Sequence, residues 1–219
     1  MSQQDLPLFH LVRESNLPDG KAPLLIMLHG YGSDENDLFS FASELSPEFH
    51  ILSLRAPYKL QPYGYAWYAI NFDAEKGKWS DNEQAKSAID LIAECLDKAI
   101  ENYPVDPNNI TLLGFSQGSI LSLALALTYP EKVKNVVALS GYLNREILPK
   151  NLDPEAYNHL EIYCSHGTAD QVIPVEWARK TQPFLNQLGI QNQYSEFPVG
   201  HGVAPQNFFE FNSWLNRKL

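Results

Sequence analysis

The sequence predicts an α/β fold with one mostly parallel central sheet and helices on both of its faces, compact and without a separate lid domain. Two observations support this fold class. Short apolar segments with β character alternate with helical segments along the chain, and a serine between two glycines, Ser116, stands where one such segment meets the next helix. The 219 residues are 44% hydrophobic, enough for one substantial core. Without a repeat or a change of composition that would mark a linker, we expect a single domain over residues 1–219.

Seven apolar segments are predicted to form strands, with helices between most of them. They are Leu8–Val12, Leu24–His29, Ile51–Leu54, Ile110–Phe115, Val133–Leu139, Ile162–Ser165 and Gln193–Phe197. This alternation is typical of a parallel sheet, whose ligand crevice lies at the carboxyl ends of the strands. Each catalytic side chain should therefore follow a strand.

Apolar residues at helical spacing predict the helices. The clearest stripe lies in Glu83–Asn102, which ends before Pro104, and consists of Ala85, Ala88, Ile89, Ile92, Cys95, Leu96 and Ala99. Gln117–Tyr129 is apolar nearly all round, which predicts a helix buried beneath the active centre. Further helices are predicted at Asn36–Glu44, Val175–Leu188 and Pro205–Arg217, and long irregular stretches at Arg55–Ser80 and Gly141–His159.

Charge and composition exclude several classes of partner. A formal net charge of -10 argues against nucleic acid and anionic membrane surfaces, which both favour concentrated Lys and Arg. No apolar run is long enough to span a bilayer, and Met1–Asp5 has no basic region before an apolar segment. We therefore expect a cytoplasmic protein without stable membrane insertion. Cys95 and Cys164 show no metal or redox spacing and are predicted to be small core residues.

The pentapeptide from Gly114 to Gly118 has the pattern of a nucleophile elbow. A strand that turns this sharply into a helix forces the central serine into a sparsely populated backbone conformation. Side chains two residues away on either side would then collide, and glycine at both positions avoids this. The pattern predicts that Ser116 is a nucleophile with its hydroxyl at the N-terminus of a helix.

The base and the acid follow from the rule that catalytic residues follow strands. His201 lies between two glycines just past the strand that ends near Phe197, so its imidazole is free to reach inward. Asp170 lies in the turn after the strand Ile162–Ser165. The chain order Ser116, Asp170, His201 is that of α/β-hydrolase triads.

Tyr31 and Gln117 are the predicted oxyanion donors. The strand Leu24–Leu28 runs into a loop with glycines at positions 30 and 32, which lets backbone N–H groups face the crevice. We assign the hole to the backbone N–H groups of these two residues, whose side chains need not take part. His29 and His166 are interpreted as structural residues that bond loop backbone.

Four strings in the sequence resemble those of the phospholipase/carboxylesterase family, compact α/β-hydrolases that include acyl-protein thioesterases. They are Leu28-His29-Gly30-Tyr31-Gly32, Gly114-Phe115-Ser116-Gln117-Gly118, His166-Gly167-Thr168-Ala169-Asp170 and Gly200-His201-Gly202. The resemblance covers nearly the whole chain. It implies a serine hydrolase that cleaves carboxylic esters, with thioesters and lysophospholipids as further substrates, through a Ser-His-Asp triad and an acyl-enzyme. It implies no cofactor and no metal, a small-molecule ester or thioester as partner, and is compatible with a homodimer.

The resemblance also implies that Trp67 and Tyr142 flank the acyl pocket. Thioesterase members usually have a cysteine followed by tryptophan where this chain has Gly141 and Tyr142. This departure favours a carboxylesterase of small esters.

Two other functions are open at the level of sequence. A metal-dependent hydrolase could use His29, His166, Asp170 and His201, although no paired ligand spacing supports a zinc site. A non-catalytic module could keep the pocket and only bind a ligand. The complete set of serine, aspartate and histidine favours the enzyme.

Overall fold

A seven-stranded sheet forms the centre of the computed structural model, which describes residues 5–18, 21–73 and 77–219. Its strands are β1 (His10–Arg13), β2 (Ala22–Leu28), β3 (His50–Leu54), β8 (Val105–Phe115), β9 (Asn135–Leu139), β10 (Glu161–Gly167) and β11 (Gln191–Phe197). Two small two-stranded sheets lie in the connection after β3: β4 (Tyr58–Lys59) with β5 (Tyr65–Ala66), and β6 (Ile70–Asp73) with β7 (Gly77–Ser80).

The strand order is β1-β3-β2-β8-β9-β10-β11. Every neighbouring pair is parallel except β1 with β3 at one edge. The carboxyl ends of the six parallel strands therefore lie along one rim of the sheet, where crevices of doubly wound sheets form.

Helices cover both faces of the sheet. They are α1 (Asn36–Phe39), α2 (Asn82–Asn102), α3 (Gln117–Thr128), α4 (Val175–Ala178), α5 (Thr181–Gln187) and α6 (Pro205–Asn216), with 3-10 turns at Pro130–Lys132, Arg145–Ile147 and Pro154–Tyr157. Alternate residues of β2 enter different cores, because side chains of a strand alternate between faces. Leu24, Ile26 and Leu28 pack with α2 and α3, whereas Leu25 and Met27 pack with α6. The predicted fold class is confirmed, and the described residues contain no separate lid domain.

The two strongest helix predictions are confirmed. The predicted stripe of α2 is buried, with Ala93 added to it, and the Asp81 side chain caps the helix by accepting from the N–H of Gln84. Every residue of α3 from Gln117 to Leu127 is buried. Cys95 and Cys164 are free, buried thiols, and burial raises the pKa of each to about 12.

Two predicted helices are shorter than their sequence patterns. The helix predicted over Asn36–Glu44 ends at Phe39, where the Ser40 hydroxyl donates to the Asp37 carbonyl and so competes with helix propagation. The helix predicted over Val175–Leu188 is split into α4 and α5. Pro183 has no N–H to donate to the carbonyl of Arg179, so one helical hydrogen bond is missing at the break.

Among the described residues, no helix has the length and apolar character required to cross a bilayer.

The contact between α3 and β2 should make Gly118 indispensable for folding. A Cβ at Gly118 would lie 2.0 Å from the carbonyl oxygen of Leu28, and neither backbone can yield easily. We expect Gly118→Ala to lower the free energy of unfolding by about 3 kcal/mol or more, at the upper end of the usual effects of overpacking. Urea unfolding measures this. Gly202→Ala is the control, because a Cβ there has no neighbour within 4 Å, and an equal loss in both variants would contradict the assigned contact.

Candidate active site

The turn between β8 and α3 holds Ser116 in a strained conformation. Its φ is 53° and its ψ is -114°, in a region that residues other than glycine rarely adopt. A Cβ at Gly114 would lie 2.3 Å from the carbonyl oxygen of Gly118, so the two ends of the elbow touch. The collision expected from the sequence is thus present in the fold, and glycine at these positions relieves it.

The Ser116 hydroxyl is free to serve chemistry instead of capping the helix. Ser116 occupies the N-cap position of α3, yet its side chain makes no capping hydrogen bond. Its backbone N–H donates to the carbonyl of Leu139, which ties the elbow to β9. The positive end of the α3 dipole therefore lies beside a hydroxyl that does not cap the helix.

Ser116, His201 and Asp170 form one hydrogen-bonded chain. The Oγ of Ser116 lies 2.9 Å from Nε2 of His201, and Nδ1 of His201 lies 2.6 Å from Oδ2 of Asp170. Because the carboxylate accepts at Nδ1, the proton of the imidazole lies there and Nε2 is left to accept from the serine. Ser116 is 8% exposed, and this surface lines a cleft of about 1280 Å³ together with His201.

Backbone contacts bring the loops of Asp170 and His201 together. A Cβ at Gly167 would lie 2.2 Å from the carbonyl oxygen of Gly200, so β10 approaches the histidine loop as closely as glycine allows. The N–H of Thr168 donates to Phe197 and that of Ala169 to Val199. Contacts and hydrogen bonds between the two backbone segments therefore hold the loops of Asp170 and His201 side by side.

Three donors bond the Asp170 carboxylate, and a second imidazole lies nearby. Oδ1 accepts from the N–H groups of Val172 and Ile173 at 2.8 and 2.9 Å, and Oδ2 accepts from His201. His166 Nε2 lies 3.2 Å from the same Oδ2. Burial alone would raise the pKa of Asp170, but the bonds from His201 and the two backbone groups outweigh it and lower the pKa below its ordinary value.

Phe115 supports the imidazole of His201 from the elbow itself. The two ring centroids are 5.0 Å apart with an interplanar angle of 52°. Phe115, the residue before Ser116, thus limits the movement of the His201 ring, which hydrogen-bonds Ser116.

The two predicted oxyanion donors have unused N–H groups. Tyr31 follows β2, Gln117 opens α3, and no acceptor within the described part of the chain takes the N–H of either residue. A Cβ at Gly30 would lie 3.3 Å from Cβ of Ser116, so the Tyr31 loop runs directly beside the elbow. Both donors therefore border the space above the serine hydroxyl.

His29 holds the Tyr31 loop and is structural, as the sequence suggested. Its Nε2 accepts from the N–H of Ala56, so Nδ1 has the proton and donates to the carbonyl of Gly30 at 2.7 Å. Burial lowers its pKa, which favours this neutral form.

A buried ion pair fixes the far side of the same loop. Glu35 is 3% exposed and receives both Nε and Nη2 of Arg55, with Nε 2.6 Å from Oε2. The Arg55 guanidinium lies over the rings of Phe9 and Tyr65, and the carbonyl of Tyr65 accepts from the N–H of Gly32. The side chain of Glu35 thus anchors the loop through a bidentate pair.

The Gln117 side chain makes buried hydrogen bonds that the sequence pattern did not reveal. Its Oε1 accepts from the N–H of Trp67 at 2.9 Å, and its Nε2 donates to the carbonyl of Tyr68 at 2.7 Å. The Trp67 indole in turn donates to the carbonyl of His29. One buried amide therefore joins the elbow to the segment Trp67–Tyr68 and, through Trp67, to the end of β2.

Tyr142 lines the cleft, but Trp67 does not. Trp67 is 0% exposed, and its indole points at the backbone of His29 beneath the cleft wall. The expected pocket position of Trp67 is therefore wrong; its neighbour Tyr68 faces the cleft instead. Tyr142 contacts the ring of Trp177, a wall residue that the sequence pattern did not single out.

The described residues offer no metal site: no group of three or more His, Cys, Asp or Glu side chains is placed to hold an ion. His29 is one of the four ligands of the metal-dependent alternative. Both of its ring nitrogens form hydrogen bonds to the backbone, with the carbonyl of Gly30 and the N–H of Ala56.

The covered parallel sheet and the nucleophile elbow define an α/β-hydrolase. The sequence model of the phospholipase/carboxylesterase family matches residues 14–219, and the chain belongs to that family.

Three known proteins show what this chain is similar to. A probable carboxylesterase of Oryza sativa subsp. japonica is 29% identical over 157 residues, which are 70% of this chain and 58% of that protein, so the match spans less than two thirds of the rice protein. Acyl-protein thioesterase 1 of Mycosarcoma maydis is 24% identical over 217 residues, 89% of this chain and 90% of that protein. The crystal structure of esterase PE8 superposes with a TM-score of 0.81 at 25% identity and covers 97% of this chain and 99% of its own.

The two hydrogen bonds of the Gln117 side chain to Trp67 and Tyr68, here called the Gln117 clamp, predict that this side chain supports activity. Gln117→Ala leaves the Trp67 N–H and the Tyr68 carbonyl buried without partners, a cost of about 1–3 kcal/mol for each group. We expect kcat/KM for a chromogenic ester to fall about 10-fold or more, equivalent to about 1.4 kcal/mol. Gln187→Ala is the matched control, since Gln187 is an exposed residue of the same cleft. Equal activity of both variants would show that the clamp is dispensable.

The lowered pKa of Asp170 predicts a pH dependence of stability. The ionised carboxylate stabilises the fold above its unfolded pKa of about 3.9, and this contribution is lost as the pH falls through the lower folded pKa. Wild type should therefore lose more stability than Asp170→Asn when the pH is lowered from 6 to 3, as measured by urea unfolding. A difference between the two proteins that stays constant over this range would contradict the assignment.

Proposed function

We propose that this protein is a serine hydrolase that cleaves carboxylic esters and thioesters through an acyl-enzyme, with Ser116 as nucleophile, His201 as general base and Asp170 as its orienting acid. The observation that supports this best is the chain of two hydrogen bonds, 2.9 and 2.6 Å long, from the Ser116 hydroxyl through His201 to Asp170. A nucleophile, a base and an orienting group in this order are the requirements for activating a serine.

In the proposed cycle, Nε2 of His201 takes the proton of Ser116 as Oγ attacks the substrate carbonyl. Asp170 fixes the imidazole tautomer and stabilises the imidazolium that forms. The imidazolium then protonates the leaving alcohol or thiol. Water, activated by the same nitrogen, releases the acid from the acyl-enzyme in the second half of the cycle.

The tetrahedral intermediates need donors for a negative oxygen. The unused N–H groups of Tyr31 and Gln117 border the space above Ser116 and are the proposed oxyanion hole. One such donor is typically worth roughly 3 kcal/mol of barrier. The Gln117 clamp and the Glu35 ion pair would keep this hole formed before substrate binds.

The cleft supports substrates with an apolar or aromatic part. Its volume of about 1280 Å³ exceeds the needs of an acetyl ester, and aromatic side chains line much of its wall. These are Tyr31, Tyr68, Tyr142, Trp177 and Phe184. We therefore propose esters larger than the small ones expected from the sequence, with acyl or alcohol groups that pack against these rings.

The names of the relatives agree with this class of reaction. They are a carboxylesterase and an acyl-protein thioesterase, and both reactions pass through the same kind of acyl-enzyme. A module that only binds ligand has no use for a strained serine in contact with a histidine and aspartate pair, and this argues for turnover.

Replacement of the nucleophile tests the proposal. Ser116→Ala should abolish the burst of product from a chromogenic ester, lower kcat by on the order of 10⁴-fold or more, and abolish covalent labelling by a fluorescent alkyl phosphonate. Ser80→Ala is the matched control, because Ser80 lines the same cleft and should keep both properties. Labelling that survives in Ser116→Ala, with the label found on another residue by mass spectrometry, would refute the assignment.

A further inference from the structure

His166 lies on β10 with its side chain completely buried. Its Nε2 is 2.8 Å from the carbonyl oxygen of Ile173. Since a carbonyl only accepts, Nε2 must have the proton, and this fixes the tautomer of the ring. The other nitrogen, Nδ1, is buried without a hydrogen-bond partner in the described part of the chain.

The protonated nitrogen of His166 also lies close to Asp170. It is 3.2 Å from Oδ2, the same oxygen that is 2.6 Å from Nδ1 of His201. The hydrogen bond to this oxygen comes from His201, because the single N–H of His166 donates to the carbonyl of Ile173. His166 therefore packs against the carboxylate without bonding it.

His166 acts on the carboxylate through the backbone of Ile173. Ile173 accepts from His166 with its carbonyl and donates to Oδ1 of Asp170 with its N–H at 2.9 Å. The imidazole thereby holds Ile173, and Ile173 holds Oδ1. The position of this carboxylate oxygen therefore depends on the position of Nε2.

Of the two ring nitrogens of His166, only Nε2 has a hydrogen-bond partner among the described residues, so a role of this side chain should depend on Nε2. A buried acceptor without a donor destabilises a fold, and an apolar side chain at position 166 would avoid it. Histidine offers one feature that an apolar side chain lacks, namely a donor in the place of Nε2.

We propose that His166 is a positioning residue, whose Nε2–H holds the backbone of Ile173 and thereby keeps the Asp170 carboxylate in the orientation that receives His201. This inference rests on the proposed serine hydrolase function. His166 touches neither substrate nor the reacting atoms, and it acts through Asp170 alone.

Two amide substitutions separate the ring nitrogens. The N–H₂ group of glutamine reaches about as far as Nε2, whereas that of asparagine reaches about as far as Nδ1. In the full-length protein, we expect His166→Asn to lower kcat for a chromogenic ester at least 10-fold with KM within twofold of wild type. His166→Gln should retain kcat within threefold. Equal kcat in the two variants, high or low, would overturn the proposal.

A double-mutant cycle distinguishes positioning from general support of the fold. If His166 acts through Asp170, His166→Asn should cost at least 10-fold in wild type and less than twofold in Asp170→Asn, because the group it positions is gone. Losses that multiply would show that His166 acts by another route. Free energies of unfolding of all four proteins establish that each is folded under assay conditions.

A proton spectrum tests the positioning without any turnover. The short bond from His201 Nδ1 to Asp170 should give a proton resonance at low field, and this signal should shift or vanish in His166→Asn and persist in His166→Gln.

If wild type neither labels at Ser116 nor turns over ester, the hydrolase proposal fails while the resonance still decides the role of His166. If His166→Asn does not fold, retention of kcat and of the resonance in His166→Gln supports the proposal, and loss of either in that folded variant overturns it.

Discussion

The close approach of α3 to β2 is the constraint on which the site depends. Gly118 lies against the carbonyl of Leu28, and Gly114 lies against the carbonyl of Gly118, so β8 must turn into α3 with almost no room. The chain meets this constraint by placing Ser116 at a φ of 53°. The strain exposes the hydroxyl at a helix N-terminus, and the same contact brings the loop after β2 beside it. The placement of the proposed nucleophile and that of the proposed oxyanion donors thus have one structural cause.

A second constraint of the same kind assembles the rest of the triad. Gly167 abuts the carbonyl of Gly200, and hydrogen bonds from Thr168 and Ala169 join the two loops at the rim of the sheet. Asp170 and His201 need only local turns to meet. The geometry is therefore maintained by close contacts and hydrogen bonds between the two backbone segments. The His201 side chain, 18% exposed, is more accessible than the buried carboxylate of Asp170.

The sequence allowed prediction of what the local backbone dictates. Glycine spacing and strand ends singled out Ser116, Asp170 and His201, which the structure brings within hydrogen-bond distance of one another, because each is placed by its own turn. The contacts of the Gln117 side chain could not be predicted, since their partners, Trp67 and Tyr68, lie in a loop about fifty residues away whose path no periodicity describes. The pocket position of Trp67 was predicted wrongly for the same reason. A segment known to lie near the site can present either of two neighbouring aromatic residues to the cleft, and here Tyr68 faces it instead of Trp67.

Different parts of the structure form the proposed catalytic groups and the wall of the cleft. The triad and the oxyanion loop are held by glycine contacts and by buried polar groups that bond the backbone. The cleft wall, by contrast, comes from separate segments that present Tyr68, Tyr142 and Trp177. A change in one wall side chain would alter the space available to an acyl or alcohol group without moving the backbone contacts that place the serine. Under the proposed function, departures such as Tyr142 would therefore affect which ester is accepted and leave the proposed catalytic groups in place.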